Sequence, residues 1–222
     1  MEVIKKIQIL CIIFLFLSCS SSKNNNSIKE IWDLYKVQNQ EKPIVPITQS
    51  MVKFIPYPLI EVRSNGFIKQ LLMIPISNRN GITNYISGSG QSLTLQGNLV
   101  TKTNGINEWL LSVDSFEDSP FTKQKNIDNW PKTNDRNYTF LNPDNKKIEV
   151  QVNCDLTIKK KEEELEVAES VYSVFYVEET CKGKNTNFKN IYWVEKNGFV
   201  RKSVQWISLK GTKLHISILK KE

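Results

Sequence analysis

The chain has 222 residues, 40% hydrophobic and 24% charged, with a formal net charge of +7; this suits one globular domain and excludes disordered or collagen-like classes. The single histidine, His215, excludes a three-histidine zinc site and is the sole imidazole for any nucleophile pair. Cys11, Cys19, Cys154 and Cys181 show no CxxC spacing, so paired zinc knuckles are excluded as well.

In chain order, residues 1–18 read as a signal peptide. Lys5 and Lys6 precede an apolar run from Ile7 to Leu17 that is short for a membrane span. The ending Phe16-Leu17-Ser18-Cys19 resembles the lipobox of bacterial lipoproteins. That implies Cys19 as the lipid-bearing first residue of the mature chain and, with Ser20 after it, an outer-membrane location facing the periplasm. Residues 19–26, rich in Ser and Asn, form a flexible tether, and 27–222 a single β-rich domain. Loss of residues 1–18 removes Lys5, Lys6 and Glu2, so the net charge falls only from +7 to +6. That mild excess favours an anionic partner such as acidic polysaccharide. Export and the lack of any basic helix disfavour nucleic acid.

A short N-terminal helix is expected from Ser27 to about Gln38, with a capping-box start and Ile28, Ile31, Trp32, Leu34 and Tyr35 on one face. A Pro-bearing connector, Gln40 to Tyr57, follows, with Pro43, Pro46, Pro56 and Pro58 limiting regular structure. Short strands then alternate with turns: 59–63, 68–76, 83–87, 92–95, 99–102 and 107–113. Asn-Gly pairs at 65/66, 80/81, 104/105 and 197/198 are strong hairpin signals. Residues 114–137, rich in Asp, Asn and Pro, read as less regular. From Ile148 to Ile158 apolar and polar residues alternate strictly, placing Cys154 on the inward face. The run Lys159–Glu164 then reads as a solvated hairpin tip, Leu165–Val177 as a long strand, and 190–195, 199–208 and 212–219 as further strands. The expected fold is mainly β, an antiparallel meander curled into a barrel-like or two-layer sheet with a short N-terminal helix.

With Cys11 cleaved and Cys19 lipidated, Cys154 and Cys181 remain in an oxidising compartment and are expected to form a disulfide. A hairpin turning at 158–165 would set Cys154 opposite position 170, so the bridge needs a further bend or non-neighbouring strands. His215 shares a polar strand face with Lys213 and Ser217 and no sequence signal brings it a nucleophile, so it reads as solvent-facing. Glu178/Glu179 and Glu117/Asp118 are adjacent pairs; on strands, neighbours face opposite ways, so neither makes a glycosidase dyad alone. No catalytic set is expected, and Gly88-Ser89-Gly90 lacks the third glycine of a dinucleotide loop, so no cofactor is expected either. Aromatics offer flat faces for sugar rings, and Trp130, Trp193 and Trp206 are the candidate glycan contacts.

An ordered set of motifs resembles the YjbF/GfcB family of bacterial lipoproteins. It runs from the lipobox and helix through Ile55-Pro56-Tyr57-Pro58-Leu59-Ile60-Glu61-Val62-Arg63, Ser89–Leu95 and Asn98–Ile106. It continues through Arg136-Asn137-Tyr138, Cys154, Glu178-Glu179-Thr180-Cys181, Asn190–Val194 and Ser203–Ser208. The resemblance implies an outer-membrane lipoprotein, mostly β, that takes part in making or exporting a capsular or extracellular polysaccharide. It carries over no catalytic residues. The expected role is therefore non-catalytic, binding the glycan or a polysaccharide-export protein. The alternatives are a structural assembly factor with no glycan contact and a glycan-modifying enzyme.

Overall fold

A computed structural model describes residues 44–65, 70–106, 109–115, 119–121 and 124–221. The expected signal peptide, Cys19, the tether, the helix at 27–38 and the Glu117/Asp118 pair lie outside the described residues. A short helix, α1 (Gln49–Phe54), leads into twelve strands. These are β1 (Leu59–Ser64), β2 (Leu71–Arg79), β3 (Ile82–Ser87), β4 (Ser92–Gln96), β5 (Leu99–Asn104) and β6 (Trp109–Ser115) in the first half. β7 (Thr133–Leu141), β8 (Lys147–Val167), β9 (Ser170–Gly183), β10 (Asn187–Val194), β11 (Val200–Trp206) and β12 (Lys213–Lys220) complete the set.

All twelve strands join one antiparallel sheet in the order β5-β4-β3-β2-β1-β12-β11-β10-β9-β8-β7-β6. Consecutive strands pair except β5 and β6, which end the sheet, and β1 pairs β12, which splices the two halves of the meander through the first and last strands. Right-handed twist curls so wide a sheet into a nearly closed barrel. Its end strands β5 and β6 are tied by the Leu110 N–H, which donates to Thr103 Oγ1 at 3.2 Å.

Alternation creates the barrel wall. β4 buries Leu93 and Leu95, β10 buries Phe188, Tyr192 and Val194, and β12 buries Leu214, Ile216 and Ile218, while the residues between face out. The interior is packed. Trp206 stacks on Phe188 at 4.1 Å and meets Tyr138 and Phe140 edge-on, both at 5.2 Å. Gln205 reaches across from β11, accepting from the Val100 N–H at 3.0 Å and donating to the Asn98 carbonyl at 2.8 Å.

A second apolar cluster forms outside the wall from Val52 of α1, Leu59, Leu219 and the Leu165, Val167 and Val174 side chains of β8 and β9. The long β8–β9 hairpin therefore extends past the barrel wall as an arm and folds its tip against β1 and β12. This corrects two expectations. The run Lys159–Glu164 lies within β8, not at a hairpin tip, and the turn falls at Ala168-Glu169, interrupting the strand expected over 165–177. The register slips around Ile158–Glu163, with Glu162 at φ 57°, lets the exposed charged run pass through the bend of the arm.

Two further segments are more regular than expected. β7 begins at Thr133, inside the stretch read as less regular. Within the Pro-bearing connector, Thr48 caps α1 by accepting from the Met51 N–H, and the helix stops at Ile55 because the residue before Pro56 is driven out of the α region.

The turn between β10 and β11 is specified sterically. Gly198 has φ +86°, and a Cβ there would sit 1.8 Å from the Lys125 carbonyl oxygen. The loop that supplies Lys125 is fastened to the turn by the Ile127 N–H donating to the Lys196 carbonyl at 3.2 Å. Gly211 has a similar φ of +85° but open space around it. In urea denaturation, Gly198→Ala is expected to cost about 1–3 kcal/mol and clearly more than Gly211→Ala; equal costs would mean the close approach is unimportant.

Candidate functional site

Two polar constellations stand out, one inside the wall and one outside. Inside, the buried face of β7 carries Arg136 and that of β9 carries Glu179, both fully enclosed. Arg136 binds the Glu179 carboxylate through both terminal nitrogens, the Nη1–Oε2 distance being 3.0 Å. Glu179 Oε2 also accepts from Asn190 Nδ2 at 2.8 Å and from the Tyr192 hydroxyl at 3.1 Å. The Arg136 guanidinium lies over the Phe121 ring at 5.1 Å. Burial works against the Arg136 charge, but the adjacent Glu179, with Tyr138 and Tyr192, drives its pKa above the ordinary guanidinium value. Burial likewise raises Tyr138 and Tyr192, keeping both phenols protonated.

The Cys154–Cys181 disulfide lies beside this network, with Cys154 directly opposite Cys181 in the β8–β9 pairing. The later turn removes the register conflict expected from a tip at 158–165. Cys154, Glu179 and Cys181 place three ligand-type atoms within 4.8 Å. Their chemistry is committed elsewhere, since the sulfurs bond each other and the carboxylate is held by Arg136. This constellation is structural.

Outside, a cleft of about 230 Å³ opens beneath the tip of the β8–β9 arm. Its floor is the outward face of three adjacent strands: Glu61 and Arg63 of β1, His215, Ser217 and Leu219 of β12, and Lys202 of β11. Pairing brings these together, with Arg63 opposite His215, Glu61 opposite Ser217, and Lys202 also opposite Ser217. Glu166, Val167 and Ala168 of the arm form the roof, and Ile47 closes one side. The arm is held there by the turn itself. Ala168 and Glu169 both adopt positive φ, a costly conformation for residues other than glycine. Glu169 Oε2 accepts from the Gln49 N–H at 2.9 Å and Ser170 Oγ accepts from Gln49 Nε2 at 3.1 Å, contacts that help offset the cost.

Glu61 Oε1 accepts from Arg63 Nε at 2.8 Å and from Gln70 Nε2 at 2.6 Å, and Arg63 Nη2 lies 2.5 Å from the same oxygen. His215 is partly covered and lies 3.2 Å from Asn65 Oδ1 through its Nε2. Burial lowers its pKa, and Lys202, Lys213 and Arg63 push it further down, so the imidazole is neutral at physiological pH. The expectation for His215 is thereby sharpened: it faces outward with Lys213 and Ser217, but into a roofed cleft.

The aromatic candidates separate. Trp206 is buried in the barrel interior and offers no face to a sugar, which corrects its inclusion; the alternating pattern places it near a strand end, where register alone cannot decide its facing. Trp130 is half-buried, edge-on to Phe121 at 5.2 Å, with its Nε1–H donating to the Lys125 carbonyl at 2.9 Å. Trp193 is half-buried on the outer wall, edge-on to Tyr176 at 5.4 Å and 5.1 Å from Lys202 Nζ. Glu178 and Glu179 take opposite faces as expected, Glu178 lying outside with Lys189 at 3.1 Å and Lys159 at 3.8 Å.

Over the described residues, fold and site thus define a twelve-stranded antiparallel barrel with aromatic rings packed inside it and a charged cleft on its outer wall. The chain belongs to the family described as "Group 4 capsule polysaccharide lipoprotein gfcB, YjbF", whose model matches residues 32–219. Its fold is similar to that of a solved structure, the hypothetical lipoprotein YmcC from Escherichia coli (K12), with a TM-score of 0.68 and 16% sequence identity. The match covers 91% of this chain and 98% of that one. No curated protein sequence matches the chain.

Proposed function

We propose that the protein is an outer-membrane lipoprotein, anchored through Cys19 and facing the periplasm, that assists production or export of a capsular or extracellular polysaccharide without catalysing a step. The family match over residues 32–219 supports the part of this reading that concerns capsule polysaccharide production. The protein contributes by binding the glycan or a protein of the export machinery. The state of the polar side chains supports binding over catalysis. His215 is paired with Asn65 among cations, and Glu61 Oε1 already accepts several hydrogen bonds, which suits an orienting group better than a proton donor.

Incubating the purified protein with polysaccharide isolated from the parent strain tests the reading. Saturable binding with no change in chain length or composition is expected. Released or altered saccharide would make the protein an enzyme, and a stable complex with an export protein that ignores saccharide would make it an assembly factor.

A further inference from the structure

The outer cleft has features that go beyond a role in polysaccharide production and indicate which saccharide it takes. Its volume of about 230 Å³ is below the roughly 300–1,000 Å³ of sites for drug-sized ligands and suits a single sugar ring. Inside the barrel, Trp206, Phe188, Tyr138 and Phe140 pack against one another.

The charges in the cleft are unequal in kind. Arg63 is paired with Glu61, which fixes its guanidinium at the edge of β1. Lys202 has no acidic partner among the described residues and rests against the Trp193 ring. An ammonium left unpaired beside a second, oriented cation provides for an incoming anion. Lys213, next to His215 on the same outer face, adds to the positive potential, while Glu61 and Glu166 supply acceptors for hydroxyl groups. His215 and Ser217 add neutral polar groups, and the half-buried Ile47 offers apolar surface for the C–H face of a ring.

We propose that this cleft binds a carboxylate-bearing sugar residue of the polysaccharide, with Lys202 and Arg63 holding the carboxylate and Glu166, His215 and Ser217 holding ring hydroxyls. The assignment rests on the glycan-binding form of the proposed function and specifies its substrate class. The roof belongs to the arm tip, so a glycan chain enters along the wall beneath Glu166–Ala168.

Titration of the purified full chain with a galacturonate tetrasaccharide, and with a neutral galactose tetrasaccharide of the same length, tests it. Saturable binding of the acidic sugar is expected, at least ten-fold tighter than the neutral one. Lys202→Gln is expected to weaken it at least ten-fold, whereas Lys184→Gln, which removes an exposed lysine from the turn after β9, leaves it unchanged. Equal binding of the two sugars, no binding of the acidic one, or equal loss in both variants overturns the proposal. The parent polysaccharide separates the two levels of inference. If it binds wild type and Lys202→Gln alike, the cleft assignment fails while glycan binding stands. If it binds neither and the galacturonate result holds, the cleft is an acidic-sugar site and the glycan-binding reading of the function fails.

Discussion

Glu179→Ala is expected to cost about 3–5 kcal/mol, because it leaves the fully buried Arg136 guanidinium without its counter-ion. Arg136→Ala is expected to cost a similar amount through the converse loss. The buried carboxylate would keep Asn190 and Tyr192 as donors but lose the cation opposite it. Desolvating a charge is expensive and the pair recovers that expense only while both members are present. The double change Arg136→Ala with Glu179→Ala is therefore expected to cost much less than the two single losses combined. A double-mutant cycle in urea checks this; single losses below about 1 kcal/mol, or strict additivity, would show that the pair is not coupled in the folded state.

Removing the disulfide ranks next. Cys154 and Cys181 are separated by 27 positions, and a loop of that size gives about 3–4 kcal/mol from constraint of the unfolded chain. The bridge also clamps the base of the β8–β9 arm, next to the Arg136–Glu179 pair, so its loss acts where the buried network needs fixed strand spacing. The Cys154→Ala/Cys181→Ala protein is expected to lose about that much stability and several degrees of melting temperature. An unchanged melting temperature would mean that the bridge adds nothing to the folded chain.

Strands whose two faces differ in polarity were legible residue by residue, as in the alternation of Ile148–Leu156 on β8 and Leu214–Ile218 on β12. Hairpins were legible where the turn used Asn-Gly, as at Asn80-Gly81, where both residues adopt positive φ. Legibility failed where tertiary contacts replaced local chemistry. The inward face of β7 reads Asn134, Arg136, Tyr138, Phe140, and an arginine at its centre hides a core strand unless Glu179 on β9 is known to meet it. The Ala168-Glu169 turn carries no glycine or asparagine, and its contacts to Gln49 lie some 120 positions away. The six charges at 159–164 outweighed the strand pattern on either side, although on the arm's exposed face they cost little burial.

The cleft was hidden for a related reason. Glu61 and Arg63 meet His215 and Ser217 only because the first strand pairs with the last, and no local signal predicts that splice. Lys202 joins them through β11, and the roof arrives from a hairpin whose length was misread. The family, by contrast, was legible from weak motifs in order, because an ordered series along the chain constrains identity more than any single motif does.

Surface polysaccharide in a clean deletion strain, complemented by wild type or by Cys19→Ser, tests the proposed role most directly. Polysaccharide should fall on deletion and return with wild type but not with the Cys19→Ser form. Unchanged polysaccharide in the deletion strain would contradict a role in its production or export.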